Sequence, residues 1–185
     1  MLIIEGADMC GKTTFIHKML LPQLPGHVYA HFGKLPARWD YFWSYLPHMA
    51  YNAVMDRFHL SEVVYRQARG ENCKLSAETY RLLDAKLRLI GGVTVVFTAD
   101  EELLCERFET LKARELHNLE QILKANQLFH DYVSMRQHDV DFHFHLTRDQ
   151  PHVQEWMARE VLTLYLHRRC SIRAINERMN IDVIV

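Results

Sequence analysis

The chain has 185 residues, of which 49% are hydrophobic, and its formal net charge is −1 at neutral pH. That length and composition suit a single domain with one substantial core. A charge this close to zero argues against non-specific nucleic-acid binding, which needs a broad basic surface, so nucleic acid is not an expected partner. The four cysteines are scattered, which is typical of a protein in a reducing compartment. No apolar run is long enough to cross a bilayer, and no signal-peptide pattern is present. We therefore expect a cytoplasmic protein that does not enter a membrane.

The first predicted element is a strand at 2–5, and a nine-residue loop follows it. Residues 6–14 read Gly-Ala-Asp-Met-Cys-Gly-Lys-Thr-Thr and match the phosphate-binding loop (P-loop) pattern G-x-x-x-x-G-K-[ST], before a predicted helix at 12–21. In such a loop, backbone N–H groups surround nucleotide phosphates, the lysine reaches the β- and γ-phosphates, and the first threonine hydroxyl can bind Mg²⁺. The residues expected to bind nucleotide are Gly6, Gly11, Lys12, Thr13 and Thr14.

Downstream of the P-loop, strand-like and helical segments alternate. Apolar and β-branched runs predict further strands at 28–32, 53–56, 93–98 and 142–146. Capping residues, apolar spacing and helix breakers predict helices at 58–69, 76–89, 100–111, 119–135 and after residue 151. This alternation predicts an α/β fold in one domain, 1–185, with a five-stranded parallel sheet flanked by helices.

Two segments are less regular than the rest. Residues 33–51 are aromatic and punctuated by proline, and we interpret them as a helix with a loop that faces a ligand. The tail 168–185 is basic and then apolar. Its pattern predicts no position in the fold, apart from a candidate edge strand at 181–185.

A second motif, Asp-Arg-Phe-His-Leu-Ser-Glu-Val-Val-Tyr, occupies residues 56–65. Together with the P-loop, it resembles the D-R-x-x-x-S-x-x-x-Y stretch of the thymidylate kinase family, whose members phosphorylate deoxynucleoside monophosphates. The resemblance implies a P-loop kinase fold, ATP and Mg²⁺ as cofactors, and dTMP as the acceptor. Small-molecule nucleotides would be its ligands, and a homodimer is the assembly that the family suggests.

The resemblance also assigns roles within this motif. Arg57 would hold the acceptor monophosphate, because it follows a strand where open α/β sheets bind ligands and its planar fork matches a phosphate. Asp56 would orient Mg²⁺ through water or assist the attacking phosphate. Ser61 and Tyr65 share one helix face, and the tyrosine would pack on the deoxyribose and leave no room for a 2′-hydroxyl.

Further residues are assigned by their position relative to the two motifs. Asp8 would face the 3′-hydroxyl of the acceptor sugar. A lid around 107–118 would neutralise charge on the transferring phosphoryl group, since Met9 stands where some members carry a catalytic loop arginine. The lid cations are Arg107, Lys112 and Arg114. In the acceptor-base region, the candidates are Arg38, which would support the phosphate, and Phe42, which would stack on the base.

The base preference depends on the orientation of Glu62. A carboxylate only accepts hydrogen bonds, and thymine offers it a single ring N–H between two carbonyl oxygens, whereas guanine offers a ring N–H and an amino group side by side. A Glu62 that points into the site would therefore favour guanine or another amino-bearing base. Because a solvated glutamate is the commoner situation on a helix, we expect Glu62 to face solvent and thymine to be the base.

Several other functions share parts of these patterns. A deoxynucleoside kinase, a kinase acting on a modified base in DNA and a non-catalytic nucleotide-binding module would all carry a P-loop, although the module would not need the motif at 56–65. A GTPase is excluded because the chain has no N/T-K-x-D base reader. A metal site in the histidine-rich stretch 138–145 is not expected, since its residues resemble a polar strand edge.

Overall fold

Five parallel strands form one sheet in the order β2-β3-β1-β4-β5 in the computed structural model, which describes residues 1–33, 41–49, 52–111 and 118–178. The strands are β1 (Leu2–Gly6), β2 (Val28–His31), β3 (Ala53–Asp56), β4 (Val93–Ala99) and β5 (Phe142–Leu146). Every pairing is parallel, which confirms the predicted α/β fold with a five-stranded parallel sheet.

Helices connect the strands and cover both faces of the sheet. They are α1 (Lys12–Thr14), α2 (Tyr41–Tyr45), α3 (His59–Ala68), α4 (Ala77–Leu89), α5 (Glu101–Leu111), α6 (Leu119–Met135) and α7 (Glu155–Arg178). On β1, Leu2 and Ile4 belong to one hydrophobic cluster, whereas Ile3 belongs to a second cluster that includes Leu83 and Leu87 of α4. This alternation buries β1 on both faces, as is usual for a central parallel strand.

The helix after the P-loop departs from the regular α-helix expected at 12–21. After α1 the chain continues as a π-helical segment, Phe15–Leu20, and a 3₁₀ turn, Leu21–Gln23. Residues five apart are about 140° apart around an α-helix, whereas the wider turn of a π-helix, with its i→i+5 hydrogen bonds, reduces that angle. Phe15 and Leu20 are both fully buried in the same cluster, so the wider helix allows both side chains to reach the core.

The sheet topology places a crevice beside β1. From β1 the chain goes to β2 and β3 on one side and then to β4 and β5 on the other. In open α/β sheets, ligands bind outside the carboxyl ends of the strands at such a switch point. The P-loop follows β1 there, and Asp56 ends the neighbouring strand β3.

The C-terminal region is helical as far as it is described. α7 includes residues 168–178 of the tail, while the candidate edge strand at 181–185 lies outside the described residues. All four cysteines are free thiols. None of the helices in the described ranges has the length and apolarity that a bilayer-crossing segment requires.

Candidate active site

A cleft of about 1210 Å³ opens at the carboxyl ends of β1 and β3. Its walls are formed by the P-loop, the Asp56–Arg57 segment, the first turns of α3, Arg107 of α5 and residues 151–153. Sites for one small ligand usually measure about 300–1,000 Å³. The volume of this cleft lies just above that range.

The P-loop depends on two glycines for its backbone path. Gly6 has a φ of 133°, and a Cβ atom there would lie 2.1 Å from the carbonyl oxygen of Phe97 on β4. Gly11, with a φ of 83°, is the N-cap of α1. A side chain is disfavoured at both positions, because glycine alone adopts these angles without strain. Gly11 and the three residues after it line the cleft, whereas Gly6 packs against β4.

Lys12 lies at the base of the cleft with its amine folded over the P-loop. Its Nζ atom donates a hydrogen bond of 2.5 Å to the carbonyl oxygen of Ala7, and the residue is only 5% exposed. A buried ammonium with one hydrogen bond to a neutral carbonyl retains donors for an anion. Thr13 and Thr14 are exposed beside it and line the same cleft.

Asp56 sits at the centre of a hydrogen-bond cluster. Its Oδ2 atom accepts bonds from the Thr13 hydroxyl at 3.0 Å and the Tyr29 hydroxyl at 3.2 Å, and lies 3.4 Å from His31 Nδ1. Burial raises the pKa of Asp56, but the hydrogen bond from His31 and the charge of Lys12 outweigh it, so the pKa lies below its usual value. Asp56 is therefore an ionised, buried carboxylate.

The two predicted metal residues, Thr13 and Asp56, fit a Mg²⁺ ion. Asp56 Oδ1 is buried and, among the described residues, has no hydrogen-bond partner. Mg²⁺ prefers oxygen ligands and keeps several of its waters, so a hydroxyl and a carboxylate with an open oxygen suit it. When bound with a nucleoside triphosphate, the ion would neutralise charge on the phosphates.

Arg57 is held in a strained conformation next to the P-loop. Its φ of 68° is in the left-handed region, which costs a residue with a long side chain on the order of 1–3 kcal/mol and is typical of functional sites. The guanidinium pairs with the Asp8 carboxylate and lies 4.7 Å above the ring of Tyr65. Its Nε–H is buried and has no acceptor within the described residues, which is the environment expected of an anion clamp.

The chain matches no protein-family profile and no curated protein sequence. It is similar to the solved structure of the Bacillus subtilis YorR protein in complex with phosphorylated GDP, with a TM-score of 0.68 and 20% identity over 88% of this chain and 94% of that one. It is also similar to deoxyadenosine kinase from M. mycoides with dCMP and dCDP bound, with a TM-score of 0.52 and 12% identity over 90% of this chain and 98% of that one.

The chain has the fold of P-loop nucleotide kinases. This confirms the fold that the resemblance implied. The narrower assignment to thymidylate kinases remains a prediction.

In this fold, α3 contributes part of the wall of the cleft. Ser61, Glu62 and Tyr65 all line the cleft. The Ser61 hydroxyl donates a hydrogen bond to Glu5 of β1, and Tyr65 is buried beneath the Arg57 guanidinium. The predicted sugar-facing residue Asp8 also lines the cleft, with its carboxylate engaged by Arg57.

The expectation that Glu62 faces solvent is wrong. Glu62 is only 6% exposed, and its Oε1 atom accepts a hydrogen bond of 2.5 Å from Nε of Arg66, one turn further along α3. Arg66 in turn donates to Glu71 at 2.8 Å. An ion pair at i, i+4 lowers the cost of burying the carboxylate, which explains why the commoner solvated arrangement does not occur.

Other predicted site residues are placed differently from the motif residues. Arg107 donates short hydrogen bonds to the carbonyl oxygens of Met9 and Pro151, so it links the P-loop to the far wall of the cleft. Phe42 is not among the described residues that line the cleft, and its ring meets that of Trp43 edge-on, with centroids 5.5 Å apart. Three predicted residues lie outside the described ranges: Arg38, Lys112 and Arg114.

Sequence reasoning missed Tyr29 and His31, which bond to Asp56. They are two residues apart on β2 and therefore point to the same side of the strand. The parallel register pairs His31 with Asp56, which brings the two side chains together. The contact between them depends on the order of the strands, so no local sequence pattern indicates it.

The histidine-rich stretch has a structural role in the described chain. His143 and His145 both hydrogen-bond to the Thr98 hydroxyl, at 2.7 and 2.8 Å, and Asp141 pairs with Arg168 of α7. Among the residues that the structure describes, no three histidine, cysteine or acidic side chains are grouped to hold a metal ion. These contacts fasten β5 to its neighbours.

Proposed function

We propose that the protein is an enzyme that transfers the γ-phosphate of ATP to the phosphate of a deoxynucleoside monophosphate, with Mg²⁺. The observation that carries this proposal is that two cationic side chains, the buried Lys12 and the largely buried Arg57, line the same cleft. Lys12 belongs to a P-loop of the kind that binds a triphosphate, while Arg57, which follows β3, has a buried Nε–H with no acceptor among the described residues. A nucleotide-binding module that performs no transfer would not need the second cation.

The site residues supply what phosphoryl transfer needs, which is mainly positioning and charge neutralisation. The P-loop amides and Lys12 would bind the triphosphate of the donor. Thr13 and Asp56 would hold Mg²⁺. Arg57 would bind the acceptor phosphate in a charge-assisted fork, for which the phosphate has to compete with the Asp8 carboxylate.

The acceptor sugar would lie between Asp8 and Tyr65. Both residues line the cleft on either side of the Arg57 guanidinium. Asp8 would accept a hydrogen bond from the 3′-hydroxyl. The buried ring of Tyr65 has little freedom to move aside, which supports the expectation that it excludes a 2′-hydroxyl.

The buried position of Glu62 changes the proposed base. The preference for dTMP depended on a solvated Glu62, whereas a carboxylate in the cleft wall matches the adjacent N–H and amino groups of guanine. Arg69 lines the same wall, and an arginine matches the O6 and N7 acceptors of guanine. We therefore place dGMP ahead of dTMP as the acceptor.

One coupled assay tests the proposal. ATP is offered with each ribo- and deoxynucleoside monophosphate, with the free nucleosides and with an oligonucleotide that carries a hydroxymethylated base. If dGMP or dTMP is the only acceptor that causes ADP release, the result supports a deoxynucleoside monophosphate kinase. Release only with nucleosides or only with the oligonucleotide would assign the protein to one of the other kinase classes, and ATP binding without any release would make it a binding module. Light scattering would test the expected homodimer.

A further inference from the structure

Glu5, on β1, joins the P-loop strand to the segment that carries Arg57. It directly precedes Gly6, and its side chain is completely buried. Its Oε1 atom accepts hydrogen bonds from the backbone N–H groups of Phe58, at 3.0 Å, and of Ser61, at 3.4 Å. Its Oε2 atom accepts a short bond from the Ser61 hydroxyl. Three donors from the start of α3 therefore converge on one carboxyl group of β1.

This carboxyl group replaces the usual cap of α3. The N-cap residue is Phe58, and no side chain from the helix's own N-terminus caps it. The first backbone N–H groups of any helix need acceptors outside the helix. Glu5 supplies them from a strand 53 residues earlier in the chain. The cap therefore fixes the start of α3 relative to β1, which a cap from a sequence neighbour would not do.

The backbone of Arg57 is held from both sides by β1. Its own N–H donates to the carbonyl oxygen of Ile4 at 2.9 Å, and the next N–H, that of Phe58, donates to Glu5. Between these two bonds the chain adopts the left-handed φ of 68°. A strained residue keeps its conformation only where its surroundings impose it, so these bonds determine where the guanidinium points.

Burial alone disfavours a carboxyl group at this position. Desolvation raises the pKa of Glu5 to about 7, even though the bonds from Ser61 and Phe58 and the charge of Lys12 favour the ionised form. An apolar residue in this fully buried position would avoid that cost. The contacts with Phe58 and Ser61 require a side chain long enough to reach them and oxygen atoms that accept hydrogen bonds.

We propose that Glu5 is a positioning residue for the acceptor site: by binding Phe58 and Ser61, it directs the Arg57 guanidinium toward the acceptor phosphate. The inference rests on the proposed function, in which Arg57 binds the monophosphate. It assigns Glu5 no contact with either nucleotide. Its effect should therefore be confined to the acceptor.

Two substitutions separate side-chain length from charge. Glu5→Gln keeps the length and an acceptor oxygen but removes the charge, whereas Glu5→Asp keeps the charge but withdraws the oxygens from the Phe58 N–H. We expect Glu5→Asp to weaken dGMP or dTMP binding about tenfold or more, and Glu5→Gln to stay within about threefold of the unmodified protein, as measured by calorimetry. ATP affinity should change by less than about twofold in both, because the P-loop is intact.

A matched control variant shows how nucleotide binding responds to a general loss of folding stability. Thr98→Val alters another fully buried polar residue, on β4, whose hydroxyl bonds to His143 and His145 away from the acceptor segment. Hydrogen exchange of the Phe58 and Ser61 amides, followed by NMR in the unliganded protein, should be slow in Glu5→Gln and fast in Glu5→Asp. This readout needs no nucleotide.

Three outcomes would overturn the inference. They are unchanged acceptor affinity in Glu5→Asp, a parallel loss of donor and acceptor affinity like that in Thr98→Val, and equal exchange of the Phe58 amide in both Glu5 variants. If the unmodified protein binds ATP but no monophosphate, the proposed function fails instead. The exchange measurement would still decide whether Glu5 holds the Arg57 segment.

Discussion

The proposed function assigns the residues of the cleft to a donor group and an acceptor group, and Lys12 tests the donor group. Lys12→Met should lower kcat by at least about a hundredfold, because it removes the cation from the transferring phosphate. The melting temperature should change little, since the only hydrogen bond of its amine that the structure shows goes to the carbonyl of its own loop. Steady-state kinetics and calorimetric melting measure the two effects. Turnover equal to that of the unmodified enzyme would reject the kinase assignment.

Substitutions of Arg57 test both its proposed role in acceptor binding and the strain of its backbone. Arg57→Ala and Arg57→Gly both remove the guanidinium, so each should weaken monophosphate binding about tenfold to a hundredfold while ATP binding changes little. Only glycine relieves the left-handed φ of 68°, so the Gly variant should be about 1 kcal/mol more stable than the Ala variant. Calorimetry gives the affinities and urea unfolding gives the stabilities. Equal weakening of both nucleotides would remove Arg57 from the acceptor site.

Among the elements, α3 is the one to which the proposed function assigns base specificity, because its residue Glu62 lines the cleft. Glu62→Gln should lower kcat/KM for dGMP by about tenfold and leave dTMP nearly unaffected, since an amide whose oxygen stays on Arg66 would turn its NH2 group toward the donor groups of guanine. Comparing both substrates with both proteins measures this. Equal effects on the two substrates would show that Glu62 supports Arg66 without reading the base.

Element bounds were predictable where the determining residues are local. The predicted strand 53–56, helix 119–135 and strand 142–146 agree with the observed bounds. The predicted start of α4 agrees as well, because the Ser76 hydroxyl accepts a hydrogen bond from the Thr79 N–H in its first turn. The π-helical turn after the P-loop was not predicted, since it depends on where the core lies relative to Phe15 and Leu20.

The candidate site was predictable to a similar degree. The P-loop and the motif at 56–65 are each a continuous stretch of sequence that follows a predicted strand. In a parallel sheet such stretches lie at the same edge, so their joint place in the cleft could be predicted. The spacing of four residues between Glu62 and Arg66 is also compatible with a helical ion pair, which the structure shows. By contrast, the contacts of Glu5 with α3 and of His31 with Asp56 join residues far apart in sequence. Only the folded sheet brings such residues together.

At the scale of the whole molecule, two buried titratable groups give opposite pH dependences of stability. Burial raises the pKa of Glu5 to about 7, from 4.5. The native state then holds more protons than the unfolded state between these values, so this group makes stability fall as pH rises from about 4.5 to about 7. Glu5→Gln should therefore gain stability over the unmodified protein as pH increases through that range. Urea unfolding at pH 5 and pH 8 would measure it, and a constant difference would contradict it.

His59 acts in the opposite direction, on the acid side. It lies between the rings of Phe58 and Tyr80, and neither ring nitrogen has a hydrogen-bond partner among the described residues. Burial lowers its pKa to about 3, from 6.5, so the unfolded state binds a proton that the native state excludes. The contribution of His59 to the free energy of unfolding is therefore fully present above pH 6.5 and is lost as pH falls toward about 3.

His59→Phe keeps an aromatic ring between Phe58 and Tyr80 and removes both the titration and the unpaired nitrogens. We expect it to raise stability at pH 7 by about 1–3 kcal/mol, because a buried polar group without a partner is costly. The midpoint of acid unfolding should also move to lower pH. Circular dichroism during acid titration measures that midpoint, with Leu89→Phe on the exposed face of α4 as a control for added aromatic surface. An unchanged acid midpoint would mean that protonation of His59 does not contribute to acid unfolding.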